Sequence, residues 1–377
     1  MADAADFITR AQPSAPGPRH GRMLGVDAAR ALAIVGMVTV NVGPTEGTGF
    51  GTWLYLLPHG RASVLFVLLA GIGFSLMTRR VRDTGAGRGP LWAGLAWRCL
   101  VLLVGGLALQ LLGHDVNVIL SVYALLFVVA GLLVRVPDRV LLTLAGLAAL
   151  AGPVLWLGLQ VRAGTPFDAR APRLDDAPGE VLVALLLTGP YPLVTWVAPF
   201  ALGMWLGRRD LTDPARQRRL AVVAGALAVT APLAARAAAW ARGGLVGDLS
   251  WELLLTDAPH GQMPLWLVGA TAVSVLVLTG CLVLERRLGG RPLRPVAVLG
   301  QLSLTCYVLH LFVLAWVRPL PWTLGQGVAV STVLVGAAAA GSVLWRRRHR
   351  RGPLEVLVRA PWTWAGAAPA AHRAARP

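Results

Sequence analysis

Apolar runs long enough to cross a lipid bilayer recur along this 377-residue chain. A membrane-spanning helix needs about 20 consecutive apolar residues, and such a segment is helical because in lipid its backbone must satisfy its own hydrogen bonds. We count about ten such runs, at 24–43, 62–79, 91–113, 116–135, 139–160, 181–206, 219–241, 264–284, 295–317 and 322–345. The sequence therefore predicts an all-α polytopic membrane protein with about ten transmembrane helices.

The composition excludes an ordinary soluble domain. Hydrophobic residues make up 56% of the chain and charged residues only 14%, whereas roughly a quarter of a soluble domain is charged. We expect one transmembrane domain over 23–346, flanked by a disordered cytoplasmic tail over 1–22 and a basic cytoplasmic tail over 347–377. The lipid bilayer is the expected partner, and a homodimer stays an open alternative.

The distribution of arginine predicts the orientation in the membrane. All 35 basic residues are arginines; if ten helices alternate in direction, 28 of them fall on the side of the N-terminus and seven on the opposite side. Short cytoplasmic loops gather basic residues. We therefore expect both termini in the cytoplasm and the chain in the plasma (inner) membrane. This asymmetry accounts for the net charge of +17 without nucleic acid, and "RRRHRR" at 346–351 is typical of an anchor facing anionic headgroups.

The cysteines predict neither a disulfide framework nor a metal site. Cys99, Cys281 and Cys306 are scattered over three apolar runs, and no metal-ligand spacing accompanies them. We interpret all three as packing residues.

The tripeptide Pro-His-Gly occurs twice, at 58–60 and 259–261, each time just ahead of an apolar run. Proline suits the first turn of a helix, and glycine permits close approach of a backbone or ligand. Each tripeptide can present an imidazole at a helix start, where the positive end of the helix favours neutral histidine and bound anions. We expect His59 and His260 to face one outward pocket with Asn41 beside them. The alternative is that each histidine only caps a helix.

Two further histidines are expected in the outer half of the protein. His114, followed by Asp115, and His310 fall there on the predicted topology. A pocket lined by neutral imidazoles and carboxylates would suit general base chemistry at neutral pH. A structural role at helix ends is the competing interpretation for each of them.

The first apolar run carries polar residues at both ends. Asp27 and Arg30 are three residues apart and so share a helix face; we favour a structural ion pair that fixes this helix in the bundle. Asn41 lies at the opposite end, where its amide offers both a donor and an acceptor to a ligand.

These segments carry a family resemblance. "RMLGVDAARALAIVGMVTVNVGP" resembles the first helix of the heparan-α-glucosaminide N-acetyltransferase catalytic domain, although Ala31 replaces the usual glycine. The rest is more similar to the related bacterial YeiB-type family, a domain of unknown function. The similar segments lie within roughly 22–318 and are "HGRASVLFVLLAGIGFSL", "VILSVYALLFVVAG", "TGPYPLVTWVAPFALGMWLGR", "PHGQMPLWLVGAT" and "LGQLSLTCYVLHLFVL".

The resemblance implies transmembrane acyl transfer, in which the acetyl group of acetyl-CoA moves to a small-molecule or glycan acceptor on the outer face. It implies active-site roles for Asn41 and, across a gap, for His59. Chemically, Asn41 could donate to a developing oxyanion and His59 could act as the base, with His260 as a second base or orienting group. We expect no metal. Expected substrate-binding residues are Arg61, as a bidentate anion ligand, together with Tyr191, Trp196, His310, His114 and Asp115.

Two other functions fit the same sequence. A transporter or exporter of a small polar or amphipathic solute would also use outward histidines and helices interrupted by proline or glycine, as in "TGPYPLVTWVAPF". Against it, no inverted repeat is visible and no acidic residue lies in the middle of a helix. A purely structural or assembly factor would depend on no single histidine.

Overall fold

The computed structural model describes residues 22–44, 46–83, 89–167, 170–244, 246, 248–317 and 323–359. In these ranges the chain forms helices and no strand. The α-helices are α1 (Leu24–Val42), α2 (Phe50–Leu56), α3 (Arg61–Met77), α4 (Arg79–Asp83), α5 (Gly89–Leu109), α6 (Leu120–Leu133), α7 (Asp138–Ala163), α8 (Pro178–Val183), α9 (Leu193–Leu206), α10 (Pro214–Ala241), α11 (Pro264–Leu288), α12 (Arg294–Gln301), α13 (Ser303–Val317), α14 (Leu324–Arg348) and α15 (Pro353–Leu357).

The described residues include seven helical segments that are long and apolar enough to cross a membrane, one of them formed by α2 and α3 together, or nine if two bent pairs each count as one span. The bent pairs are 178–188 with α9, at 59°, and α12 with α13, at 71°. The remaining predicted span contains α6, which has only 14 residues. The described residues thus form an all-helical fold with seven to nine candidate membrane spans, whereas ten full spans and the sidedness of the termini stay predictions.

The shorter and broken spans have local causes. Residues 116–119 precede α6 as irregular backbone because the Gln110 side chain binds them, donating to the Val116 carbonyl at 3.0 Å and accepting from the Val118 N–H at 2.9 Å. At the break before α13, the Glu355 carboxylate accepts from the backbone N–H groups of Leu304 and Thr305. Side chains therefore supply hydrogen bonds that an unbroken helix would make itself.

The predicted tails lie partly outside the described residues. Residues 1–21 and 360–377 belong to that part. Where the structure describes the C-terminal tail, α14 continues to Arg348 and is followed by α15, which packs against α13.

Helix α1 lies at the centre of the bundle and contacts α3, α11, α12, α13 and α14. Small residues allow the tightest approaches. At the crossing of α3 and α9, an added Cβ on Gly71 would lie 2.2 Å from the Phe200 carbonyl oxygen, and one on Gly203 would lie 2.1 Å from that of Leu68. Close backbone packing of this kind is typical of helices in membranes. This close packing of the helices fixes the ends of α1, α3, α9 and α11 around the candidate site.

Candidate functional site

The two Pro-His-Gly tripeptides lie against each other. The rings of His59 and His260 have centroids 5.6 Å apart. Gly60 has φ 72°, and an added Cβ there would lie 2.9 Å from Nε1 of Trp266, which follows the second tripeptide. Glycine is therefore required at this contact by both backbone conformation and space. The first tripeptide directly precedes α3, and the second ends three residues before α11.

A cavity of about 450 Å³ opens at this contact, a volume within the range of small-ligand sites. Its lining includes five of the residues predicted from the sequence: Asn41, His59, Asp115, Tyr191 and His260. They come from five separate segments of the chain. The structure thus brings both tripeptide histidines and the α1 amide to one cavity, in the arrangement expected from the sequence.

The cavity wall contains unusual backbone conformations. In the described part of the chain, the residues other than glycine with positive φ are Asp115 (54°), His260 (58°) and Gln262 (60°). All three line this cavity. Such conformations cost free energy unless their surroundings enforce them, and they cluster at ligand sites. That all three line one cavity is an observation about the backbone, separate from the chemistry of the side chains, and it supports a functional role for the cavity.

Gln262, which the sequence analysis missed, enforces part of this strain. Its buried amide oxygen accepts from the Trp196 indole N–H at 2.9 Å and the Thr195 hydroxyl at 3.0 Å. Its amide nitrogen donates to the carbonyls of Pro190, at 2.9 Å, and His260, at 3.3 Å. These bonds use the full hydrogen-bonding capacity of the side chain. The only feature of the sequence that could have pointed to Gln262 is that it is a polar residue between Gly261 and the start of an apolar helix.

Trp196 has a different role from the predicted one. It is fully buried, does not line the cavity and holds Gln262. Tyr191 does line the cavity, with its ring edge-to-face on Trp196 at 5.0 Å and on His260 at 6.1 Å. Tyr191 is therefore the member of this pair that a ligand can contact.

The chain around Tyr191 is the break in the first bent pair of helices. A π-helical turn over Ala184–Thr188 ends where the Gly189 N–H bonds to the Ala184 carbonyl at 2.8 Å. Gly189, Pro190 and Tyr191 then line the cavity before α9 begins. Irregular backbone at membrane depth is tolerated where it lines a cavity, and π-turns are frequent at functional sites.

His310 reaches the site through Asn41 and is absent from the cavity lining. Its Nδ1 faces the Tyr307 carbonyl, which can only accept, so Nδ1 carries the proton. Its Nε2 then accepts from the Asn41 amide nitrogen at 3.0 Å. This bond fixes which way the amide points and leaves its second N–H for a ligand.

Two other predicted ligands are placed elsewhere. His114 is fully buried, with Nε2 donating to the Leu109 carbonyl at 3.0 Å and Nδ1 accepting from the Val116 N–H at 3.1 Å. His114 therefore holds the loop that carries Asp115. This is the structural role that the sequence analysis gave as the competing interpretation. Arg61 donates to the Leu57 carbonyl at 3.0 Å and is not part of the cavity lining, so its predicted anion-binding role has no support from its position.

The electrostatics favour a neutral imidazole at His260. Burial, together with a smaller contribution from the neighbouring His59, lowers the pKa of His260 to about 4. His260 is therefore uncharged at neutral pH. The cavity presents neutral nitrogen groups and one exposed carboxylate, Asp115.

The ion pair predicted at the other end of α1 is present and larger than expected. The Asp27 carboxylate accepts from Arg30 at 3.1 Å, from Arg22 and from the Gln301 amide at 3.0 Å. Beside it, Glu285 accepts from the first N–H groups of α1 at 2.9 and 2.7 Å. Three side chains bind the Asp27 carboxylate, which fits a structural role.

No group of three or more metal-ligating side chains occurs among the described residues. The three cysteines are free thiols, with Cys281 and Cys306 buried and Cys99 partly so.

Residues 206–365 match a protein family described as "Protein of unknown function (DUF418)". The match supports the predicted relation to a DUF418/YeiB-type family and includes the second Pro-His-Gly tripeptide. Because the function of this family is unknown, the match assigns no activity to the chain. A comparison with curated proteins finds no match.

Proposed function

We propose that this protein is a transmembrane acyltransferase that moves an acyl group, acetyl in the first instance, from acyl-CoA to a hydroxyl or amine acceptor. The observation that carries the proposal is the convergence of His59, His260 and the oriented Asn41 amide on one strained cavity. We assign the acceptor to the side opposite the N-terminus, following the arginine distribution, with the chain in the plasma membrane.

His59 is the better candidate for the general base. A base works best when its pKa lies near the operating pH. Burial and the nearby Arg61 lower the pKa of His59, but the more complete burial of His260 lowers its pKa to about 4 and makes it a weak base. His260 instead offers a neutral imidazole against which His59 and the acceptor are positioned. Tyr191 packs on His260 and closes the same side of the cavity.

Asn41 supplies a hydrogen-bond donor for the carbonyl oxygen. His310 holds one N–H of the amide, and the second can donate to the negative charge that develops on the tetrahedral intermediate. The acceptor oxygen or nitrogen forms the new bond to the acyl carbon while His59 takes its proton. The carbon–sulfur bond then breaks, and the proton passes to the departing thiolate.

The test uses the purified full chain in nanodiscs with radiolabelled acetyl-CoA and a panel of amino-sugar and polyol acceptors. We expect His59→Ala to lower transfer by about 100- to 10,000-fold and Asn41→Asp by about 100- to 1,000-fold. His349→Ala is the matched control, because His349 is exposed and stacks on Trp345 far along the chain from the cavity residues. Thermal melting of each variant checks folding.

A wild-type protein that neither binds nor turns over acetyl-CoA would contradict the proposal. So would folded His59→Ala and Asn41→Asp variants that transfer label as fast as the wild type.

One observation favours a transporter as the second candidate. The broken pair 178–188 and α9, bent by 59°, contributes its irregular backbone to the cavity wall, as discontinuous helices do at transport sites. Solute accumulation in proteoliposomes, with no acyl transfer, would favour this function. Replacing Gly189 by valine, whose Cβ would lie 2.8 Å from the Ala184 carbonyl oxygen, should then abolish accumulation.

A further inference from the structure

A second concavity lies on the side of the bundle, away from the histidine cavity. It has a volume of about 670 Å³ and is bounded by α7, α9, α10 and α11. Apart from Thr271 and three arginines, its lining is apolar. The site described above uses none of its residues.

The shape is a groove that opens towards lipid. Its floor consists of buried residues of α9 and α11, such as Ala198, Leu206 and Leu267. Its rims are exposed residues of α7 and α10, such as Leu142 and Val223. A groove with apolar rims on membrane-spanning helices is accessible to acyl chains from the side.

The arginines lie together at one end. Arg209, Arg216 and Arg219 line the groove where α9 ends and α10 begins. Arg209 is partly neutralised by Asp138 at 2.6 Å and lies over the Trp205 ring at 4.9 Å. Arg216 donates to the Asp210 backbone carbonyl at 2.8 Å, and the groove lining contains the three arginines but no carboxylate. The end of the groove is therefore positive.

The length matches one leaflet. Along α10 the lining extends from Arg216 to Leu227, which is about 16 Å at 1.5 Å per residue, or about half of a 30 Å hydrocarbon core. An acyl chain lying in the groove would have its headgroup at the arginines, and guanidinium groups bind phosphate in a bidentate manner.

We propose that this groove is a binding site for one anionic phospholipid, with an acyl chain between α7 and α10 and its phosphate on Arg216 and Arg219. The inference is independent of the acyltransferase proposal.

The experiment measures lipid binding to the purified full chain by native mass spectrometry and by the melting midpoint. The probes are phosphatidylglycerol, phosphatidylcholine with the same acyl chains, and inorganic phosphate. We expect phosphatidylglycerol to be retained and to raise the midpoint. The double variant Arg216→Gln, Arg219→Gln should lower its affinity by about thirtyfold.

Two matched controls separate the site from general effects. Arg218→Gln with Arg287→Gln removes the same charge from exposed positions outside the groove and should keep binding. Gly146 lines the groove and Gly225 does not, and an added Cβ at either meets no atom within 4 Å. Gly146→Leu should therefore block binding, whereas Gly225→Leu should leave it intact.

Equal retention of phosphatidylcholine and phosphatidylglycerol would overturn the proposal, as would full competition by inorganic phosphate. An equal loss in the Arg218, Arg287 control would also overturn it, because binding would then follow total charge. If Gly146→Leu fails to fold, Gly146→Val gives the same test with a smaller side chain.

Discussion

The two ends of α1 place polar groups in the bundle in opposite ways. Asp27 and Asn41 are 14 positions apart in one helix, about 21 Å along its axis. The Asp27 end is saturated, since arginines and a glutamine bind its carboxylate and Glu285 binds the free N–H groups of the helix. The Asn41 end keeps imidazoles, an amide and positive-φ backbone facing a cavity.

The difference shows how structural and ligand-binding polar groups can be told apart inside a membrane bundle. A buried charge is tolerated when protein groups satisfy it completely. Polar groups that face a cavity, on backbone held in costly conformations, have their remaining capacity available to a ligand. Three predictions test this contrast.

The largest effect is expected at the saturated end. Asp27→Ala leaves Arg30 half-buried and without its carboxylate, so we expect a loss of about 3 kcal/mol in the free energy of unfolding. Asp83→Ala, which removes an exposed pair with Arg79, should cost less than about 1 kcal/mol. Unfolding in mixed detergent and SDS measures both. Equal effects would mean that the Asp27 network is not structural.

A smaller effect is expected where the cavity backbone is held. Gln262→Leu leaves the Trp196 indole N–H and the Pro190 carbonyl without their partner, and we expect a cost of about 2 kcal/mol. Gln326→Leu, in the exposed capping box of α14, is the control and should cost about 1 kcal/mol or less. If Gln262→Leu melts like the wild type, the positive φ of His260 is enforced by other contacts.

The effect that is smallest at neutral pH, and that grows as the pH falls, is a pH dependence of the cavity end. The pKa of His260 in the folded protein, about 4, lies below its ordinary value of 6.5, so the unfolded chain binds the proton more readily. The buried neutral imidazole of His260 therefore makes its full contribution to stability above pH 6.5, and this contribution is lost as the pH falls towards 4. Melting midpoints across this window measure it. His260→Gln should flatten the slope, and His349→Gln should not; an unchanged slope in His260→Gln would place the titrating group elsewhere.

Part of this site could be predicted from the sequence because its signals are local. The two tripeptides are recognisable at helix starts, and Asn41 lies at the end of an apolar run, so their placement at one end of the bundle followed from the helix pattern. The partners of these residues could not be predicted in this way. Asn41 binds His310, 269 positions away, and Gln262 binds Trp196, 66 positions away.

The four membrane histidines illustrate the limit. His59 and His260 line the cavity, His310 orients an amide and His114 fixes a loop. Their immediate neighbours in the sequence do not reveal these roles: His59 and His260 each lie in Pro-His-Gly, His114 lies between Gly113 and Asp115, and His310 lies between two leucines. His114 bonds to Leu109 and Val116, which are close to it in the chain, whereas His310 bonds to Asn41 on another helix.

The sequence by itself determined the all-helical membrane architecture, since the length and apolarity of each run are local properties that lipid turns into a helix. The tertiary structure alone decided where helices break. Gln110, Glu355 and Gln262 supply hydrogen bonds to backbone groups that would otherwise be unsatisfied in an apolar interior. A hydropathy pattern identifies an apolar run, but it does not show which side chain will bond to the backbone and allow the helix to break there. In this protein one such break forms a wall of the candidate site.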